Sequence, residues 1–92
     1  MLEVKKGSKN FYIGESEDNV LAEMTFVDSG EGYITIEHTN VKEELSGQGA
    51  GKIILKEIVD WARKENIKIK PLCPYAKAQM EKNEEYHDMI YK

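Results

Sequence analysis

From Val20 to Val27 the chain alternates, with Val20, Ala22, Met24 and Phe26 on one parity and Leu21, Glu23, Thr25 and Val27 on the other. A period of two marks a strand with at least one buried face. The same beat returns where Tyr33, Thr35 and Glu37 interleave with Ile34, Ile36 and His38, and more briefly where Phe11 and Ile13 flank Tyr12. Turn-forming residues separate the runs, first Ser16-Glu17-Asp18-Asn19 and then Asp28-Ser29-Gly30-Glu31-Gly32. Three strands joined by short turns predict an antiparallel meander. On this alternation His38 shares a face with Ile34 and Ile36, at the end of its strand.

After Ser46 the period changes. Ser46-Gly47-Gln48-Gly49-Ala50-Gly51 is a glycine-rich turn, and beyond it Ile54, Leu55, Ile58, Val59, Trp61 and Ala62 form one broad helical stripe opposite Lys52, Lys56, Asp60, Arg63 and Lys64. Asn66 is placed to stop this helix. Ile67 and Ile69 alternate with Lys68 and Lys70, predicting a short strand that ends at Pro71-Leu72. Pro74 suits the first turn of a second helix over residues 75–83. The last residues, 84–92, read either as one more helical turn or as a loosely packed tail. The order β-β-β, glycine loop, α, β, α predicts an α/β (α+β) fold. Its sheet is mixed and mostly antiparallel, covered by helices, with a right-handed crossover between its parallel strands.

Composition narrows the function. The chain has 92 residues, 40% hydrophobic and 33% charged, which predicts one small domain over 1–92 with a thin core. Thirteen basic and 17 acidic residues give a net charge of −4, against the basic surface that nucleic acid requires. No apolar run approaches the roughly 18 residues of a membrane span, and residues 1–10 lack the apolar core of a secretory signal. Cys73 is the sole cysteine, while His38 and His87 lack metal-ligand spacing, so neither a disulfide nor a metal site is expected. A reducing cytoplasm suits such a chain. An open sheet edge leaves a monomer or a weak homodimer as the expected state.

The glycine turn carries the first chemical signal. The outward N–H groups and the dipole at a helix start attract anions, and residues without a Cβ let a phosphate come close. Two phosphate motifs fail here. Only three residues separate Gly47 from Gly51-Lys52, and Ile53 stands where a P-loop needs a hydroxyl; the glycine spacing also misses the dinucleotide fingerprint. On chemistry alone, a turn shaped by glycines for purely structural reasons stays open beside the phosphate reading.

The spacing does resemble the [QR]-x-x-G-x-[GA] motif of GNAT acetyltransferases, with Ser46 standing where Gln or Arg is usual. More specifically, His38-Thr39-Asn40-Val41 before the loop, Pro71-Leu72-Cys73-Pro74-Tyr75 after the next strand, and Glu85-Tyr86 resemble the very short YJDJ-type N-acetyltransferases, over about residues 11–91. The resemblance implies a minimal GNAT-like fold and an acyltransferase that uses acetyl-coenzyme A as cosubstrate and an unidentified amine as acceptor. It implies that Thr39, Asn40 and Val41 run beside the pantetheine arm, and that Gly47, Gln48, Gly49, Ala50, Gly51 and Lys52 hold the pyrophosphate. Larger members of the superfamily add helices before the second strand that help build the acceptor site. Here that site is expected to be open or completed by another molecule. A coenzyme A-binding module without efficient turnover is the alternative.

Three residues are candidates for the chemistry. Cys73, ahead of a helix start, either takes the acetyl group in a two-step transfer or lines the thioester slot as a small apolar residue. His38 is either the base for Cys73 or for the amine, or a structural cap on its strand. Tyr75 either protonates the departing sulfur or packs. Backbone donors near Val41 would meet an oxyanion. Lys77 and Lys82 either meet the adenosine 3′-phosphate or form a solvated helix face, His87 reads as surface, and Trp61 reads as core.

Overall fold

Five strands form one sheet in chain order, β1 (Lys5–Lys6), β2 (Asn10–Ser16), β3 (Asn19–Asp28), β4 (Tyr33–Val41) and β5 (Lys68–Pro71). Neighbours pair antiparallel except β4 and β5, which run parallel. The structure is a computed structural model that describes residues 3–91. The meander and the parallel strand follow the hydrophobic beat of the sequence. β1 does not, since two lysines carry no alternation; it joins by pairing Lys5 with Tyr12 and Lys6 with Phe11.

Helix α1 (Ala50–Glu65) makes the crossover from β4 to β5, and α2 (Pro74–Lys82) follows β5. Ile54, Leu55, Ile58, Val59 and Ala62 of α1 are buried in one cluster with Met24, Phe26, Ile34, Ile36 and Ile69 of the sheet and with Ala76 and Met80 of α2. Both helices therefore cover the same sheet face. Trp61 is half-buried at the edge of this layer, with its ring 5.5 Å from Phe11 and 5.9 Å from Phe26. Asn66 ends α1 in the left-handed conformation, its N–H bonded to the carbonyls of Ala62 and Arg63.

Between Thr25 and Phe26 the β3–β4 register slips. Thr25 faces His38, whereas Phe26 faces Ile36, so Glu37 is an extra residue on β4. The displaced N–H of His38 donates to Thr25 Oγ1 at 3.1 Å. The slip inverts the alternation: Ile34 and Ile36 face the helices, but after the bulge Thr39 and Val41 do so, in register with Met24 and Ala22. His38 is exposed on the opposite face. The expectation that it shares a face with Ile34 and Ile36 is thus corrected, because an extra residue resets a period of two.

The opposite face meets no helix among the described residues. Asn10, Thr25 and His38 form one cross-strand row on it, and Tyr12, Glu23 and Asn40 form the next. Past α2, a 3-10 turn at Glu84–Met89 leads Ile90 into a parallel bridge with Ile69, and Tyr91 N–H donates to the Ile69 carbonyl at 2.7 Å. Tyr91 stacks on Tyr33 at 3.9 Å. Of the two readings of this tail, the helical one describes Glu84–Met89. No described helix is long and apolar enough to cross a membrane.

Candidate active site

β4 and β5 separate after Ile36 and Pro71, before β4 reaches the glycine loop. They pair from Tyr33 with Lys68 to Ile36 with Pro71. There the carbonyl of Ile36 accepts both Leu72 N–H, at 3.0 Å, and Cys73 N–H, at 3.1 Å. From Glu37 to Val41, β4 pairs with β3 alone, so its other edge lines a gap. At the end of that stretch a 3-10 turn, Glu43–Leu45, delivers the chain to Ser46 and the glycines.

The glycines act differently from one another. Gly47 (φ 81°) and Gly49 (φ 70°) sit in the left-handed region with open space where a Cβ would be. Gly49 is the N-cap of α1, and no side chain closes that end. The first-turn N–H groups at Ala50, Gly51 and Lys52 precede the first intrahelical bond, Ile53 N–H to the Gly49 carbonyl at 3.1 Å. Gly51 is needed for proximity: a Cβ there would meet the ring and hydroxyl of Tyr75 at 2.8 Å. The absent side chain lets Tyr75 lie against the start of α1.

These pieces enclose one cavity of about 340 Å³, lined by Thr39 and Val41 of β4, by Leu45, Ser46, Gly47, Gly49, Ala50 and Gly51, and by Tyr75 of α2. Cys73 adjoins it through Thr39, whose Oγ1 lies 3.1 Å from Cys73 Sγ. Cys73 is 6% exposed and is the N-cap residue of α2. Burial pushes its thiol up, but the Thr39 hydroxyl and the N–H groups of Ala76, Tyr75 and Thr39 outweigh this and hold it below the ordinary thiol value. Burial and then the negative charge on Cys73 push the Tyr75 hydroxyl up, so it keeps its proton at neutral pH.

Other predicted residues lie elsewhere. His38 and Asn40 occupy the helix-free face, where Asn40 Nδ2 donates to Glu23 Oε2 at 3.2 Å. Gln48 turns back to the Glu44 carbonyl. Lys52 lines a separate cavity of about 290 Å³ between α1 and α2, with Lys56, Lys82 and Tyr86, whereas Lys77 lies outside that cavity.

The profile of the GCN5-related N-acetyltransferase family matches residues 10–89, which takes in every element of this site. The chain belongs to that family. It is similar in structure to a GCN5-like candidate N-acetyltransferase from Staphylococcus aureus, solved by NMR. The two share 46% identity and a TM-score of 0.81, over 98% of this chain and 88% of that one. No curated protein sequence matches. As a GCN5-related N-acetyltransferase the chain is an acyltransferase, and the family generally uses acetyl-coenzyme A.

Within this GCN5-related fold, sequence reasoning passed over Leu45 and Ser46 as cavity walls, and over the Thr39–Cys73 contact. Leu45 is a single apolar residue in a polar stretch, which carries no periodic signal. The contact joins residues 34 apart, beyond the reach of any local pattern.

Proposed function

We propose that the protein binds acetyl-coenzyme A in the gap between β4 and β5 and transfers its acetyl group to an amine. The observation carrying this reading is the single cavity that joins the uncapped start of α1 to Thr39 and, through it, to Cys73. The pyrophosphate would take the N–H groups at Gly49 to Lys52. The pantetheine arm would follow the open edge of β4, where backbone groups lack a β5 partner. The adenosine 3′-phosphate would reach Lys52 and Lys82 in the neighbouring cavity.

In the two-step form, the Cys73 thiolate attacks the thioester carbonyl. An S–C bond forms to Cys73, the C–S bond to coenzyme A breaks, and the departing thiolate takes a proton from Tyr75 or from water. A neutral amine then attacks the acetyl-Cys73 carbonyl, forming the amide N–C bond and releasing the Cys73 thiolate. The amine proton leaves to solvent. The depressed Cys73 thiol favours this form. The register of β4 puts His38 on the other face from Thr39, which speaks against it as the base for Cys73.

The test is native mass spectrometry with acetyl-coenzyme A, repeated under denaturing conditions. The expected result is a cofactor-mass adduct that dissociates on denaturation, together with an acetyl increment on Cys73 that survives it. An adduct without the increment would leave direct attack by the amine as the route. A folded protein with neither would overturn the reading.

A further inference from the structure

The helix-free face carries two adjoining cavities. One, of about 310 Å³, is walled by Ser8, Asn10, Glu17, Asp18 and Glu23; the other, of about 580 Å³, by Phe26, Val27, Asp28, Glu37 and His38. Both include Ser8, Lys9 and Thr25, so they form one trough across β2, β3 and β4. Five carboxylates line it, against Lys9 as the one lysine. The ion pairs Lys56–Asp60 and Arg63–Asp88 lie elsewhere, and among the described residues none of the five carboxylates has an ion-pair partner.

Asn10 supplies an observation independent of charge. It is 5% exposed, and its Oδ1 has no hydrogen-bond partner. Its amide orientation is fixed, because Nδ2 donates to Glu23 Oε1 at 2.7 Å and to the Glu17 carbonyl at 3.4 Å, which a flipped amide oxygen would repel. A Cβ at Gly7 would collide with both Asn10 Oδ1 and Glu17 Oε2, so these two acceptors crowd the same spot. A buried acceptor without a donor is unfavourable, and beside it the donors of Ser8, its N–H and its hydroxyl, are already taken by Glu17 Oε2 at 2.7 and 3.0 Å. A ligand rich in N–H groups and positive charge satisfies such a pocket and its carboxylates together.

The trough also has a direction. Asn10, Thr25 and His38 lie in one cross-strand row, so its ends are two strand spacings, roughly 10 Å, apart. At the Asn10 end are Glu17 and Glu23. At the His38 end β4 has lost its β5 partner, and the gap opens toward Thr39 and Cys73. Between them stands Thr25, and half-exposed Val27 lies beside it along β3 as the apolar part of the wall.

We propose that this trough binds a linear aliphatic polyamine, with one ammonium group seated among Asn10, Glu17 and Glu23 and a second nitrogen at the His38 end. That this second nitrogen is the one acetylated rests on the acetyl-transfer reading above; the binding does not.

The full chain would be titrated with spermidine, with the shorter putrescine and with butylamine, following backbone amide shifts by NMR. Spermidine is expected to shift Asn10, Glu17, Glu23, Thr25 and His38 and to bind at least about tenfold more tightly than butylamine, with putrescine between them. Glu17→Gln and Glu23→Gln are each expected to weaken spermidine about tenfold. Glu23 also holds Asn10 and Asn40, so Asp18→Asn, on an exposed wall residue, is measured alongside and is expected to weaken it severalfold. Equal affinity for the three amines, shifts confined to other surfaces, or carboxylate variants that bind like the parent would each overturn the proposal. Acetyl-coenzyme A added to the same samples reports at Gly47 to Gly51, so failure of that site reads out separately.

Discussion

Cys73 owes its chemical character to Thr39. The hydroxyl lies 3.1 Å from the sulfur, and donating to the ionised form it favours the thiolate, while the alternative partners are N–H groups at the start of α2 that do not close into a capping bond. Thr39→Val keeps the shape of the residue and removes the donor. The Cys73 thiol in this variant should ionise at higher pH, so the pH profile of alkylation by iodoacetamide should move upward; an unmoved profile would show that the helix start alone sets it. The same shift enters stability. A thiol with a depressed folded pKa contributes stability above the ordinary thiol value and loses it as pH falls through the folded one, so Thr39→Val should shrink the gain seen on raising the pH. At this scale the sequence announced the residues but not the link. Thr39 and Cys73 stood in two separate motifs, and only the crossover through α1 brings them together.

Among the elements, the helices and the long strands were legible because each buries one face and so displays its own period. α1 follows its apolar stripe to Ala62 and stops at Asn66, and α2 starts at Pro74 as expected. β1 was not legible, since a two-residue edge strand of lysines is held by backbone pairing that leaves no side-chain pattern. The bulge at Glu37 was hidden for a related reason: alternation assumes an unbroken ladder, and its one trace is a polar His38 where an apolar residue was due. A contrast between two deletions follows. Removing Glu37 leaves Thr39 facing the helices with a continuous β3–β4 ladder, so that variant should fold with a loss of about 2 kcal/mol or less. Removing Thr35 instead carries Ile34 or Ile36 to the polar face and should abolish cooperative folding. Urea unfolding of both variants checks this, and equal behaviour would contradict the register described here.

For the molecule as a whole, the C-terminal segment fastens the far edge of the sheet. Arg63 of α1 donates to the Glu85 carbonyl and to Asp88 at 3.0 Å, and Lys68 Nζ donates to the Asp88 carbonyl at 2.6 Å. All four contributors are exposed, so the clasp is modest. Arg63→Ala should lower global stability by only about 1 kcal/mol yet speed hydrogen exchange at the Tyr91 amide well before that of the core strands. Exchange at Tyr91 that tracks the core would show that the Ile69 bridge and the Tyr33 stack hold the edge unaided. The acidic trough was the least legible part of the molecule, because Asn10, Glu17 and Glu23 look like ordinary turn and strand-face residues until the sheet sets them side by side. The reset at Glu37 has a consequence for anyone surveying variants of this protein. Tolerance to substitution along β4 should form two combs out of step, the intolerant teeth falling on even positions up to Ile36 and on odd positions from Thr39, so a sequence aligned across that strand with one gap misplaced would exchange its buried and its reactive positions.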